Sequence, residues 1–466
     1  MHFDAQWLKK ILPEAIVIQG TFDQSVTFSV DSRTLEKDNL FFALSGSKVD
    51  GHTFLKQALE KAAGVVIAAD KQSLLTPLLN TVSKEKIIIT VKDPLKALVA
   101  LASAWRSRFS YPIAAITGSV GKTTTKELTA HILSHAGKKF LVGQGNLNTE
   151  IGVALTISRM SDEHEGALFE VGISKQGEMA KIVTMLRPTT GLITCIAHSH
   201  MEGLGSLAAI AHEKRMLFSQ FSSDNIGIVN GDQPLLAAVS YHHPIVKFGF
   251  KITNNVQARK IKEHDGALSF VLKLYDKKYA LALTENHRGM LQNTIASVAL
   301  AHQLAVSDAA IIEALQQIPV RKRRFELCSL KNYRGILIDD CYNASPESMK
   351  AALNALESMK TVGKKIAVLG DMLELGEKSS FWHRQIGRFL RKISSLDHII
   401  LVGENVAWIE KTAPSSITIE RVLVWQDAVS KLSATLGSDA VVLVKGSRGM
   451  QLHNVVAEFV DTQVHI

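Results

Sequence analysis

The stretch TGSVGKTTTKE, Thr117 to Glu127, decides how this chain reads. The apolar run Ile113 to Ile116 before it has the pattern of a buried strand, and the run from Lys122 to about His135 after it has that of a helix. Strand, glycine-rich turn and helix in this order build a phosphate cradle. Gly118 and Gly121 let the backbone come close to an anion, and the first N–H groups of the helix point at it. Lys122 supplies charge for the β- and γ-phosphates, and the hydroxyl of Thr123 or Thr124 can ligate Mg²⁺. The general pattern G-x-x-x-x-G-K-[ST] would put a glycine where Ile116 stands, so the loop is a shortened G-x-x-G-K-T-T. Its flanking strand and helix point to an ATP site formed by Gly118, Ser119, Val120, Gly121, Lys122, Thr123 and Thr124.

At 466 residues the chain is too long for one ordinary core, and its length suggests about three domains. A hydrophobic fraction of 46% beside 21% charged residues is the balance of a soluble globular protein. No run reaches the ~18 apolar residues of a membrane helix. The N-terminal MHFDAQWLKKILPEA carries acids and no apolar signal core. Neither membrane insertion nor export is expected. Cys195, Cys328 and Cys341 are odd in number, far apart and without C-x-x-C spacing, which excludes a disulfide framework or a cysteine zinc site and fits a reducing cytoplasm. The formal charge of +9 calls for anionic partners. The one dense basic cluster, Arg321, Lys322, Arg323 and Arg324, has no interleaved aromatics. A phosphorylated small molecule therefore accounts for the charge better than nucleic acid does. A monomer is the default expectation.

Residues 1–108 alternate strand-like and helix-like pieces without a phosphate loop: DNLFFAL (Asp38 to Leu44), a helical stretch from Phe54 to Ala63, and AGVVIAA (Ala63 to Ala69). They read as a small α/β domain. In residues 109–318 the apolar strands ALFEVG (Ala167 to Gly172), TGLITCIA (Thr190 to Ala197) and NIGIVNG (Asn225 to Gly231) recur between helical segments, the rhythm of a mostly parallel sheet. Val256 to Leu283 breaks the rhythm with alternating strands, an antiparallel edge. In residues 319–466, beyond a joint at the basic cluster, GILIDD (from Gly335), KKIAVLG (from Lys364), HIILVG (from His398), RVLVW (Arg421 to Trp425) and AVVLVKG (from Ala440) give five strands separated by helices, a doubly wound Rossmann-like sheet. The expected fold class is thus α/β in three domains, with chemistry in the cleft between the second and third.

Polar groups gather at the ends of these strands. Asn148 and Thr149 lie where a helix begins, and taken alone both are helix caps. Glu170 ends the strand ALFEVG; a carboxylate in an apolar run needs a partner, and a Mg²⁺ shared with nucleotide phosphates would supply one. His198, His200 and Glu202 lie just past the next strand, and if the two strand ends are neighbours, His200 becomes a candidate ligand. Lys214, in the helical AAIAHEKRMLF, reads by itself as a solvated surface lysine. In the third domain Asp340 and Asn343 of DDCYNASPESMKAAL point towards the cleft, with Ser345 and Pro346 starting a helix. Lys445, Ser447 and Arg448 of KGSRGM offer cations and a hydroxyl suited to a carboxylate.

With these residues in place the sequence closely resembles the Mur ligases, and within them those that add D-alanyl-D-alanine to UDP-N-acetylmuramoyl-tripeptide. The resemblance runs through DSRTLEKDNLFFALSGSKVDGHTF, TGSVGKTTTKE, GNLNTEIG, FEVGISKQGEM, HMEGLGS with IAHEK, DDCYNASPESMKAAL, VLGDMLELGE and VLVKGSRGM. It implies an N-terminal domain that grips the UDP-sugar peptide, with Asp31, Ser32 and Arg33 at its uridine end. It implies a central ATPase domain in which Lys122 and Thr123 hold phosphates and Mg²⁺, and Glu170 and His200 hold magnesium. Lys214 matches the lysine that the family carbamylates into an anionic metal ligand. Asn293 would meet the adenine, and Arg324 and Asp340 of the third domain would approach the nucleotide. Cys195, Ala154, Gly289 and Met216 depart from the family's usual asparagine, proline, histidine and acidic residue.

The implied reaction is amide ligation through an acyl phosphate, because a carboxylate is a poor electrophile until ATP supplies a leaving group. The rivals are a related Mur or folylpolyglutamate-type ligase adding one amino acid, and a regulatory NTPase, for which the sequence supplies no partner module.

Overall fold

The computed structural model of the chain describes every residue except 2–3, 23–24, 48, 200, 265–266, 284–287, 319–322 and 466. Three sheets follow one another along the described chain. The first contains β1 (Ile16–Gln19), β2 (Thr27–Ser29), β3 (Asn39–Phe42), β4 (Gly64–Ala68) and β5 (Ile87–Val91), in the order β1-β5-β4-β3-β2. Its inner strands are mainly apolar and almost wholly buried, Asn39 and Thr90 being the polar exceptions, as expected of strands covered on both faces.

The second sheet has nine strands: β6 (Ile113–Thr117), β7 (Phe140–Val142), β8 (Gly166–Glu170), β9 (Thr190–Ile193), β10 (Ile226–Asn230), β11 (Ile245–Gly249), β12 (Val256–His264), β13 (Ala267–Leu274) and β14 (Lys277–Leu283). Their order is β14-β13-β12-β11-β10-β9-β6-β8-β7, parallel except for the β12–β13–β14 meander. The expected antiparallel edge is there, and its physical mark is alternation: Leu268, Phe270, Leu272 and Leu274 of β13 are buried while the residues between them are half exposed. One topological expectation is corrected. The strands carrying Glu170 and the histidines, β8 and β9, are not neighbours; β6 pairs with both and separates them. The two strand ends therefore flank the phosphate loop.

The third sheet joins β15 (Glu326–Leu330), β16 (Gly335–Asp339), β17 (Lys365–Gly370), β18 (His398–Val402), β19 (Thr418–Val422), β20 (Ala440–Lys445) and β21 (Val460–His465) in the order β19-β18-β17-β20-β16-β15-β21. Its five parallel strands match the expected five except at RVLVW. There the strand is TIERV, Thr418–Val422, and Trp425 already begins a helix. β19 is an edge strand whose side chains are half exposed, so an apolar run was the wrong signal; Leu423 and Val424 lie 61% and 48% exposed in the connection. The antiparallel β15 and β21 extend the sheet beyond what hydrophobic runs indicated.

The cores explain how these sheets are tied. One cluster runs without a break from the first sheet into the second, through Phe28, Leu40, Leu101, Trp105, Ile157 and Phe169. The Phe28 N–H donates to Ser158 Oγ at 2.9 Å, and Trp105 Nε1 to the Met160 carbonyl at 3.0 Å. On the opposite face of the second sheet, the helices Lys122–His135 and Arg288–Gln303 pack through Leu128, Ile132, Ile295 and Ala299. Ser297 Oγ donates to the Thr125 carbonyl at 3.1 Å. The third sheet has two cores of its own, one on each face. It meets the rest of the chain across a cleft.

Candidate active site

The phosphate loop forms because two glycines take backbone angles other residues resist: φ is +150° at Gly118 and +89° at Gly121. Space demands them as well. A Cβ on Gly118 would lie 1.8 Å from Thr194 Oγ1, and one on Gly121 would lie 2.2 Å from Asn293 Oδ1. The segment after β9 braces the loop: Thr194 Oγ1 donates to the Val120 carbonyl at 2.6 Å, Ser119 N to the Cys195 carbonyl at 2.8 Å, and Ser119 Oγ to the Ala197 carbonyl at 3.0 Å. Lys122 Nζ donates to the carbonyls of Gly118 at 2.8 Å and Ser119 at 3.4 Å. Desolvation pulls its pKa below the ordinary lysine value, and the field of Glu170 works against that shift. The hydroxyl-bearing Thr123 and Thr124 follow in the first helical turn, both buried.

Glu170 closes the other side of the loop. Its Oε1 accepts from Asn148 Nδ2 at 2.8 Å, while Oε2 is buried without a hydrogen bond, 3.7 Å from Lys126 Nζ. The pair Asn148-Thr149 is thereby divided. Thr149 is the cap, accepting from Gly152 N at 3.4 Å, and Asn148 faces the carboxylate. Lys126 was missed by sequence reasoning, although Lys126 and Thr129, three residues apart, share a buried helix face. Among the described residues no three His, Cys, Asp or Glu side chains come together as a metal site. His200 lies outside the described residues, so the structure places no contact for it.

Lys214 overturns its reading as a surface lysine. It is wholly buried, its Nζ has no hydrogen-bond partner, and burial drives its pKa well below the usual value, with the charge of Lys122 pushing the same way. The signal was helical spacing: Ile210, Lys214 and Leu217 fall on the apolar face of Leu207–Arg215 and the turn that follows. Cys195, in the bracing segment, has its thiol pKa raised chiefly by burial and donates to the Val120 carbonyl at 3.4 Å.

The third sheet supplies the facing wall. Asp340, just past β16, pairs with Lys445 Nζ at 2.7 Å; the same ammonium donates to the carbonyls of Asp340 at 3.3 Å and Asn343 at 3.0 Å. Lys445 is therefore a buried tie, not the free cation expected for a substrate carboxylate. Ser447 Oγ is likewise engaged, accepting from Leu373 N at 2.9 Å, and Arg448 alone of the three is exposed. Ser345 caps the helix Pro346–Ser358 in a capping box with Ser348, as the sequence indicated. The Arg324 guanidinium lies 3.9 Å from the centre of the Tyr342 ring with Nη2 buried and unpaired. Arg321 and Lys322 of the basic joint lie outside the described residues.

A cavity of about 970 Å³ joins these walls. Ser119 to Thr124, Asn148, Thr149, Glu170 and Asn293 line one side, and Arg324, Asp340, Asn343, Lys445, Ser447 and Arg448 the other. Lys214 does not line it, and neither do Asp31, Ser32 and Arg33. Those three form a turn on the first sheet, where Asp31 caps Ser32–Thr34 and binds Arg33 through both carboxylate oxygens, at 2.9 and 2.6 Å. That hydrogen bonding holds the Asp31 carboxyl below the usual range.

Three family models match the sequence: the Mur ligase middle domain over residues 116–301, the Mur ligase glutamate ligase domain over 323–448, and the Mur ligase family catalytic domain over 27–106. The UDP-N-acetylmuramoyl-tripeptide–D-alanyl-D-alanine ligase of Bacillus subtilis is 31% identical over 459 residues, 96% of this chain and 97% of that protein. The Escherichia coli protein of the same name is 32% identical over 446 residues, 94% of each. Among solved structures, MurF from Acinetobacter baumannii matches with a TM-score of 0.82 at 27% identity over 98% of both chains. MurF ligase from Thermotoga maritima in complex with ADP matches with 0.76 at 26% identity, over 93% of this chain and 96% of that one.

Proposed function

The chain belongs to the Mur ligase family, and from that premise we propose that it joins D-alanyl-D-alanine to UDP-N-acetylmuramoyl-tripeptide with cleavage of ATP, completing the peptide of the peptidoglycan precursor. The observation that carries this reading is the shared cavity, with a phosphate loop on one wall and the DDCYNASP and KGSRG segments on the other. The terminal carboxylate of the tripeptide attacks the γ-phosphate in line, and ADP leaves. The dipeptide amine then attacks the acyl carbonyl, and phosphate leaves from the tetrahedral intermediate. Lys122 and the loop N–H groups offset charge on the transferring phosphoryl group. Closure of the third sheet keeps water from the acyl phosphate.

The donor chemistry of the site fits Mg²⁺: Thr123, with its hydroxyl, and Glu170, with an unpaired buried oxygen, both line the cavity, where phosphates would complete a hard oxygen shell. Thr123 would hold a first Mg²⁺ with the phosphates, Glu170 and His200 would hold magnesium, and a carbamylated Lys214 would be a ligand of a second Mg²⁺. Bound there, Mg²⁺ would neutralise charge on the β- and γ-phosphates. The buried, unpartnered amine of Lys214 suits carbamylation, because desolvation favours its neutral, nucleophilic form. The neutral amine adds to carbon dioxide and releases one proton, so that a neutral group becomes an anionic carbamate.

In this assignment residues 1–108 grip the UDP-sugar peptide, with Asp31, Ser32 and Arg33 at the uridine end. Residues 109–318 bind ATP, with Asn293 towards the adenine, and residues 319–466 bring the dipeptide, with Arg324 and Asp340 nearing the nucleotide. Such water-soluble substrates fit a cytoplasmic monomer; among the described residues no helix is long and apolar enough to cross a membrane.

The test is ATP-dependent phosphate release with UDP-muramoyl-tripeptide, comparing D-alanyl-D-alanine with single amino acids and weighing the adduct. Release that depends on the dipeptide and yields the pentapeptide supports the proposal. Ligation of a single amino acid would correct the specificity, and ATP hydrolysis without an adduct would overturn it.

A further inference from the structure

Two segments singled out in the sequence, HMEGLGS after β9 and LGDMLELGE after β17, meet each other across the cleft through residues that have no role in the chemistry above. Helix Met201–Leu204 packs on the turn Gly376–Lys378 so closely that a Cβ on Gly376 would lie 3.2 Å from Glu202 Cα. A few residues away, His198 Nδ1 lies 2.7 Å from Glu347 Oε1, and the His198 backbone N–H donates to the same oxygen at 3.3 Å. The His198 ring packs against Trp382, centroids 4.0 Å apart. Glu347 sits in the first turn of Pro346–Ser358, where the helix dipole favours its negative charge.

We propose that His198, Glu347 and Trp382, together with the Glu202–Gly376 contact, form the docking element that sets the register between the nucleotide wall and the acceptor wall. All are positioning residues, and the proposal rests on the ligase reading above. The connection is short on both sides. The carbonyl of Ala197, next to His198, accepts from Ser119 Oγ of the phosphate loop at 3.0 Å. Glu347 lies four residues after Asn343, whose carbonyl is tied to Lys445. A shift at His198–Glu347 thus moves the phosphate loop relative to the DDCYNASP turn.

The contact is also built to release. Among the described residues the third sheet shares no core cluster with the second, so the two can part without breaking a common core. Glu347 Oε2 and Trp382 Nε1 are buried at the junction without partners, and their lost hydration opposes closure. A ligase needs this balance, because substrates enter and product leaves an open cleft while the acyl phosphate survives only in a closed one.

His198→Ala, Glu347→Ala and the double variant test the proposal, with small-angle scattering in the presence of a non-hydrolysable ATP analogue and with the ratio of phosphate released to amide formed. Each single variant is expected to scatter as a more open particle, to raise that ratio at least threefold and to raise KM for D-alanyl-D-alanine, while KM for ATP changes less than twofold. The double variant is expected to be no worse than the worse single, because the pair acts as one unit. Trp382→Phe keeps a ring against His198 and restores the ratio that Trp382→Ala loses. Folded variants with wild-type scattering and ratio, or effects that add in the double variant, overturn the docking element. If Glu347→Ala fails to fold, Glu347→Gln, which keeps an acceptor but loses the charge, is read by the same two measurements with a smaller shift expected. A wild-type enzyme that makes no adduct would refute the ligase reading, and the scattering comparison would still decide the docking element.

Discussion

Asn148 holds one oxygen of Glu170 at 2.8 Å and leaves the other buried and unpaired, 3.7 Å from the ammonium of Lys126. The amide restrains the carboxylate's rotation, and Glu170 lines the cavity together with the phosphate loop. Residues that orient a metal-binding carboxylate typically contribute 10–100-fold in metal affinity or activity. Asn148→Ala should therefore lower activity by about 10–100-fold, with part of the loss recovered at raised Mg²⁺, whereas Glu170→Gln should lose more and not recover. Initial rates across a magnesium titration check both.

Lys214→Met should abolish ligation yet stabilise the protein. Removing a buried, unsatisfied donor relieves a cost of about 1–3 kcal/mol, and methionine fills a similar volume. A lysine whose folded pKa lies below its unfolded 10.5 binds fewer protons when folded, so stability rises with pH between those two values. The advantage of the variant should be widest below the folded pKa and should shrink as pH climbs towards 10.5. Thermal denaturation of both proteins in carbon-dioxide-free buffer over that range is the measurement. Added bicarbonate should raise wild-type activity and leave the variant unchanged.

Gly118→Ala should raise KM for ATP more than tenfold. The new methyl would drive Thr194 Oγ1 from the Val120 carbonyl, and a non-glycine residue at φ +150° adds strain of roughly 1–3 kcal/mol. Calorimetric titration with ADP separates lost binding from lost chemistry.

Lys445→Met should destabilise the third sheet and impair use of the dipeptide. It strands Asp340, which is 19% exposed, and frees the Asn343 carbonyl, and breaking one partner of a buried ion pair costs about 3–5 kcal/mol. KM for D-alanyl-D-alanine should rise more than KM for ATP, as steady-state kinetics with each substrate varied would establish.

Much of the fold was legible because it depends on local pattern. The strand–loop–helix unit at Ile113 to His135, the buried strands β8, β9, β10, β17, β18 and β20, and the Ser345-Pro346 helix start follow from apolar runs, glycines and caps acting over a few residues. The edge strands β19 and β21, and β15 between β21 and β16, were misread or missed; β15 and β19 bury their side chains only in part, and such strands need not be apolar runs.

The sequence by itself determined that this chain is a three-sheet α/β protein with a nucleotide loop, since periodicity and turn chemistry act between near neighbours. Only the tertiary structure decided the company each polar group keeps. It put β6 between the strands of Glu170 and the histidines, buried Lys214 away from any partner, spent Lys445 on Asp340, and set His198 against Glu347, which is 149 residues away. A charged side chain is written the same way whether it faces water, a partner or nothing. Burial and contact over long separations in the chain distinguish the three, and those exist only once the sheets are packed.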